Sequence, residues 1–403
     1  VDIVATSPAL AAHLSRNSGV FDAVIGGDFF SDWPGQTKLT EMLQQHLAAE
    51  ADYELRLDGT RRWAREWHFR IGVHLLRGLI DAATAGRQYA ELAQAVLQAL
   101  WPVVVDQFAT RHGPPPGRGA VILGMGSLGA GRLTPTSDLD MLVIYDADGV
   151  DSSDGPKPLA TRSYYARLTQ AMITAMTAPM AQGKLYDIDM RLRPSGNQGP
   201  VATSLASFES YQKEQAWVWE HLALTRARVI AGAEDLGRDV EALRAEILSR
   251  AAPRDKVLGE VAKMRQRIAA ARSPAGPLDA KTGAGRLQDI ELFAQAGALI
   301  GGTGAREIDA GLAAARGENV IDGQAEAALS SAYTNAWTLN CAARLLSANP
   351  IDARTMGQAG ASFLCRVLAC DDLAALEAKM QGDYATAAQI IDAALPEPGQ
   401  EGA

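Results

Sequence analysis

The sequence predicts an α+β protein, mostly helical, in which a small mixed sheet is flanked by helical regions, the last of them a C-terminal helical bundle. Three observations predict it. Apolar runs of strand length bounded by turn residues occur only in the middle of the chain, at residues 120–123, 139–145 and 184–192. The stretch before them carries apolar residues at helical spacing. The stretch over 236–394 is rich in Ala and Leu and reads as packed helices. With 403 residues the chain exceeds one ordinary core. The expected division is a helical region over 1–117, a sheet-bearing domain over 118–235, a helical bundle over 236–395 and a frayed tail over 396–403.

Taken in order, residues 61–83 place Phe69, Val73, Leu76 and Ile80 at helical spacing. Gly86 is expected to interrupt, and a second helix to run over 89–110. The run His112-Gly113-Pro114-Pro115-Pro116-Gly117 breaks any helix and marks the first boundary. Ala120-Val121-Ile122-Leu123 reads as a short buried strand, and 139–145 as another. Residues 146–157 are polar and turn-rich, and 159–180 read as a helix. Residues 184–192 read as a third strand, with Tyr186, Ile188, Met190 and Leu192 on one face and Asp187, Asp189, Arg191 and Arg193 on the other. A helix is expected over 208–230.

Composition excludes several classes. Lys plus Arg number 38 against 47 Asp plus Glu, a formal charge of −9. An acidic chain without a long basic run is not expected to bind nucleic acid in general. Cys341, Cys365 and Cys370 read as buried or idle thiols of a reducing cytoplasm. No apolar run approaches the roughly 18 residues of a membrane helix, and the opening residues do not read as a signal peptide. A cytoplasmic protein with no membrane partner is therefore expected. Val1 in place of Met is expected of a piece of a longer protein.

The chemistry centres on two segments. Gly124-Met125-Gly126-Ser127-Leu128-Gly129 matches the dinucleotide fingerprint, and Asp146 follows at a suitable distance. That fingerprint needs a crossover helix before the next strand, and the interval to Leu139 contains Gly131 and Pro135. A Rossmann unit does not fit. Read otherwise, Gly126-Ser127 opens a tight turn whose backbone N–H groups can approach a phosphate. Asp138-Leu139-Asp140 then begins a strand, with both carboxylates on one face and their Cα atoms about 6–7 Å apart. Such a pair can hold two Mg²⁺ ions, which sit about 3.5–4 Å apart in two-metal sites. Asp189 on the third strand supplies another carboxylate. Arg191 and Arg193 are expected phosphate contacts.

Gly-Ser, ten residues, then Asp-x-Asp is similar to the nucleotidyltransferase superfamily that includes DNA polymerase β. Leu185-Tyr186-Asp187-Ile188-Asp189-Met190-Arg191-Leu192-Arg193-Pro194-Ser195-Gly196 resembles the glutamine synthetase adenylyltransferase family. So do Tyr211-Gln212-Lys213-Glu214-Gln215-Ala216-Trp217-Val218-Trp219-Glu220-His221, Lys281-Thr282-Gly283-Ala284-Gly285-Arg286-Leu287-Gln288-Asp289-Ile290-Glu291 and Phe69-Arg70-Ile71-Gly72-Val73. The chain departs from the usual Gly-Gly before Asp-Ile-Glu, having Gly285-Arg286, and has Leu292 after it.

The resemblance implies a DNA polymerase β-like core with Asp138, Asp140 and Asp189 as catalytic carboxylates and Mg²⁺ ligands. It implies Gly126 and Ser127 as the triphosphate-binding turn and ATP as substrate. Members of the family are typically bifunctional, one half attaching AMP to a tyrosine of glutamine synthetase and the other removing it by phosphorolysis. The segments around Pro194 and Tyr211 resemble the adenylylating half, and the adenylyl-removing half is the alternative. A PII-type signal protein and glutamine are implied as regulators. A catalytically idle binding module would be expected to lack one of the three carboxylates, and all three are present. The helix over 208–230 would pack beside the site, with Trp217, Trp219 and His221 as core or interface residues rather than ligands. Asp289 and Glu291, two apart, do not share a helix face and read as helix N-terminal charge.

Overall fold

The computed structural model describes residues 6–7, 10–11, 28–194, 196–250, 252–354 and 356–396. The tail expected to fray lies outside the described residues from 397 onward. Three helices open the described fold: α1 (Gln36–Ala48), α2 (Tyr53–Arg77) and α3 (Ala82–His112). Asp52 and Asp81 cap the starts of α2 and α3, accepting from the N–H of Leu55 at 2.9 Å and of Thr84 at 2.7 Å. These donors have no intrahelical partner. Gly78 closes α2 in the left-handed conformation. The helix expected over 61–83 therefore begins earlier and ends at Arg77. α3 runs through Gly86, where a break was expected, because Gly86 packs directly on the Trp337 ring and tertiary contact overrides a weak local preference.

The sheet follows. β1 (Gly119–Gly124) and β2 (Leu139–Asp146) pair antiparallel, with Gly119 opposite Asp146 and Gly124 opposite Met141. A short helical turn, α4 (Gly126–Gly129), lies in the connection, and α5 (Thr161–Thr177) follows β2. β3 (Ile188–Asp189) and β4 (Ala202–Ser204) both run parallel to β2, and β5 (Arg228–Gly232) is antiparallel to β1. The result is a five-stranded mixed sheet in the order β3-β2-β1-β5, with β4 also on β2.

Residues 184–192 are not one long strand. Only Ile188–Asp189 pairs, and Arg191 and Arg193 fall in the turn beyond it. The helix expected over 208–230 is likewise corrected to α6 (Leu205–Glu214), α7 (Val218–Thr225) and β5. The Glu220 carboxylate accepts from the Tyr211 hydroxyl at 2.9 Å and the Trp217 N–H at 3.0 Å, pinning a turn between the two helices. Trp217 stands 67% exposed, which excludes the core of the two places, core or interface, expected for it.

The remaining helices are α8 (Glu234–Ser249), α9 (Arg254–Ala271), α10 (Leu287–Ile300), α11 (Ile308–Gly317), α12 (Gly323–Leu346), α13 (Gln358–Val367) and α14 (Leu373–Ala394). Among the described residues the named strands all lie between Gly119 and Gly232. Both faces of the sheet are buried. Ala120, Ile122, Met141, Val143 and Tyr145 join a core shared with α3, α5 and α12. Val121, Leu123, Leu142 and Ile144 join a second core shared with α8, α9 and α10. Two buried faces are why β1 and β2 read as unbroken apolar runs.

By length and composition α3 is long and apolar enough to cross a membrane, which the sequence reading did not expect of any stretch. Half of that stretch is buried inside the protein, where it packs on α1, α2, α5, β5 and α12. The three cysteines are free thiols, with Cys341 and Cys365 buried. Burial pushes the Cys341 thiol up to about 12.

Candidate functional site

The connection between β1 and β2 assembles the site. Beyond Gly124 the N–H of Met125 donates to the Asp140 carbonyl at 2.8 Å, so the chain turns into α4 alongside the start of β2. Gly126 has a φ of +51°, and a Cβ there would lie 2.6 Å from Asp140 Oδ2. A Cβ at Gly129 would lie 2.0 Å from the Arg226 carbonyl oxygen. Only glycine fits at either position. Leu139 is fully buried, so Asp138 and Asp140, on either side of it, share the other face. β3 then brings in Asp189 as the register partner of Asp140.

Burial, then Asp138 and Asp189, push the Asp140 carboxyl up to about 6, and Lys281 and Arg226 partly offset them. Asp189 moves the other way, held below the usual carboxylate range chiefly by hydrogen bonds from the Arg191 side chain. Arg191 Nε donates to Oδ2 at 2.7 Å, and its backbone N–H to Oδ1 at 2.8 Å. Both oxygens of Asp189 are thus engaged. Among the described residues no group of three or more His, Cys, Asp or Glu stands ready as a metal cage.

The donor set nevertheless fits Mg²⁺, which takes hard oxygen ligands and is commonly held by one or two carboxylates plus substrate phosphates. Asp138 and Asp140 would hold it, and a bound cation would offset the burial and like charge that raise Asp140. Asp140 must lose its proton to coordinate. Mn²⁺, as a probe, is therefore expected to bind more weakly as the pH falls through about 6. Paramagnetic titrations at about pH 5 and about pH 8 check this; equal affinity at both would place the ion away from Asp140.

A cavity of about 380 Å³ opens beside these carboxylates, walled on the sheet side by Ser127, Asp138 and Asp140 and on the helical side by Lys281, Glu291 and Trp337. Its wall includes Asp187 rather than Asp189. Of the expected phosphate contacts, Arg191 is paired with Asp189 and its side chain is 75% exposed. Arg193 donates to the carbonyls of Met190 at 2.8 Å and Gly199 at 3.1 Å, so it braces its own loop. Neither lines the cavity.

The sequence reading gave no place in the site to Lys281, Trp337 or Glu291, the last read only as helix N-terminal charge. A signal for Lys281 and Glu291 lay in the segment Lys281 to Glu291, quoted above for its resemblance. Asp289 and Glu291 do diverge: Asp289 accepts from Arg265 at 2.5 Å and from the Gly285 N–H at 2.7 Å, whereas Glu291 meets Arg226 at 2.8 Å. Asp289 lies in the first turn of α10, the helix N-terminal charge expected of it, whereas Glu291 lies beyond that turn, and both are also ion-pair partners.

The sequence matches the family described as glutamate-ammonia ligase adenylyltransferase over residues 1–243. It is 43% identical over 306 residues to a bifunctional glutamine synthetase adenylyltransferase/adenylyl-removing enzyme of Mesorhizobium japonicum, an alignment covering 75% of this chain and 31% of that protein. Proteins of the same description from Brucella suis and Agrobacterium fabrum are each 42% identical, over 304 and 311 residues. Those alignments cover 75% and 76% of this chain and 31% and 32% of the relatives. The chain thus spans about a third of the length of these curated relatives.

Proposed function

Since the chain belongs to the glutamate-ammonia ligase adenylyltransferase family, we propose that it transfers AMP from ATP to a tyrosine hydroxyl of glutamine synthetase and releases pyrophosphate. The observation that carries this reading is the placing of Asp138 and Asp140 beside the Gly126-Ser127 turn, at the mouth of a polar cavity. The catalytic unit is residues 118–235, a DNA polymerase β-like core, with helical regions over 1–117 and 236–395. A PII-type signal protein and glutamine would act as regulators.

The tyrosine oxygen attacks the α-phosphorus as the bond to the β-phosphate oxygen breaks. Such transfers depend on positioning and charge neutralisation. Mg²⁺ bound at these carboxylates would lower the pKa of the attacking phenol and neutralise the triphosphate. Asp138 and Asp140 fix the reacting end of the nucleotide from β2. The turn at Gly126-Ser127 directs backbone N–H groups, which lack intrahelical partners at a helix start, toward the phosphates. Asp189 is the proton acceptor for the phenol. While Arg191 holds it, that carboxylate is a weak base. The exposed guanidinium of Arg191 would move to a phosphate as substrate enters, freeing Asp189 to take the proton.

Direction is not decided by the carboxylates, because one transition state can be approached from either side. The adenylylating direction is supported by the resemblance around Pro194 to Gly196 and Tyr211 to His221. Incubating the chain with glutamine synthetase, α-labelled ATP and Mg²⁺ should label the target and release pyrophosphate. Phosphate-dependent release of ADP from adenylylated glutamine synthetase, without incorporation from ATP, would reverse the direction.

A further inference from the structure

We propose that Lys281 supplies the cation that meets the β- and γ-phosphates of the nucleotide, a contact carried to the sheet-borne carboxylates from the helical side of the cavity. This rests on the reading that the cavity takes a nucleoside triphosphate.

Triphosphate binding needs positive charge beyond the metal, and an ammonium serves as a point charge for phosphate. Around this cavity the other cations are occupied. Arg191 is on Asp189, Lys184 on Asp187 at 2.6 Å, Arg226 on Glu291, and Arg344 on the Ala348 carbonyl. Lys281 lines the cavity, is exposed, and has no side-chain partner among the described residues.

Its backbone, by contrast, is fixed on both sides. Its N–H donates to Asp279 Oδ1 at 3.1 Å, and its carbonyl accepts from Gln288 at 3.1 Å. The flanking Ala280 and Thr282 are buried. Arg286 clamps the same loop, donating to the Gly276 carbonyl at 2.9 Å and stacking over the Tyr384 ring at 4.3 Å. A free ammonium on an anchored loop, facing two carboxylates across a cavity, is organised for an anion that also touches those carboxylates through a metal.

A lysine that only balances Asp138 and Asp140 would behave differently. Removing it would tighten metal binding and leave ATP binding equal or stronger. The test measures equilibrium binding of ATP, ADP and AMP, each with Mg²⁺, to the wild type, Lys281→Ala, Lys281→Gln and Lys281→Arg. Lys281→Ala and Lys281→Gln should weaken ATP about tenfold or more, roughly 1.4 kcal/mol, and leave AMP within about twofold. Lys281→Arg should restore part of the loss. The glutamine variant answers if the alanine variant fails to fold. Unchanged or tighter ATP binding by the neutral variants overturns the inference while leaving the transferase reading intact, as does an equal loss for AMP. A wild type that binds no ATP overturns the transferase reading, and this inference with it.

Discussion

Asp140→Asn is expected to reduce AMP transfer by about 10³-fold or more and, in the presence of a chelator, to make the protein more stable. Both effects have one cause. Asp140 is a largely buried carboxylate beside Asp138 and Asp189, and its pKa is raised to about 6. Below the unfolded value near 4 the group is protonated in both states and has no effect on stability. As the pH rises from about 4 to about 6, the unfolded chain ionises the group freely while burial and like charge keep it protonated in the folded protein. Stability is therefore lost over that window, by up to roughly 3 kcal/mol at neutral pH. The asparagine removes this penalty and keeps the volume. Metal reverses the sign for the wild type, because anything that binds only the folded state stabilises it. Melting curves at neutral pH, with chelator and with Mg²⁺, should show the variant a few degrees higher without metal and unresponsive to it. A variant that melts lower in chelator would show that Asp140 is a structural hydrogen-bonding group rather than a ligand waiting for its cation.

The parts of the site that could be read from the sequence are those fixed by adjacent residues. Asp138 and Asp140 share a face because they are two apart on a strand, and β2 was legible because its runs are apolar on both faces. Gly126 and Gly129 stood out as glycines, though their reason, contact with Asp140 and with the Arg226 carbonyl, is long-range. The 184–192 segment misled. Its alternation of apolar and charged residues matches a strand, yet only Ile188 and Asp189 find a ladder on β2. Beyond them Arg191 folds back onto Asp189 and Arg193 onto its loop carbonyls. β5 was hidden for the opposite reason: Arg228–Gly232 has no alternation, and pairing with β1, more than a hundred residues earlier, makes it a strand. Ala202–Ser204 is too short to carry any period. Lys281 and Glu291 enter the cavity from a loop and a helix well downstream of the carboxylates, and no local spacing rule connects such residues.

Glu291→Ala is expected to destabilise the protein by about 3 kcal/mol, more than its place on the rim of a cavity suggests. Its partner Arg226 sits between α7 and β5, where its carbonyl backs onto Gly129 of the phosphate turn. The ion pair, 2.8 Å long with side chains 7% and 18% exposed, ties the sheet to α10. Arg226 Nε is already buried without a hydrogen-bond partner, so the guanidinium depends on Glu291 for much of its compensation. Burial alone would lower the pKa of Arg226, and Glu291, with smaller help from Tyr333 and Asp140, more than offsets it. Truncating Glu291 leaves a buried cation facing only Asp140 and the Tyr333 ring system, and an uncompensated buried charge carries most of the penalty in such pairs. The pair itself need not be net stabilising, because each partner lost its hydration on burial. The double variant Arg226→Met with Glu291→Leu should therefore recover most of the stability lost by Glu291→Ala. Urea denaturation of the wild type, Arg226→Met, Glu291→Leu and the double variant closes the cycle, with Glu291→Ala measured beside them. A double variant no more stable than Glu291→Ala would mean that the pair contributes through its own attraction, and that the sheet and α10 are held together by that charge contact rather than by the apolar packing around it.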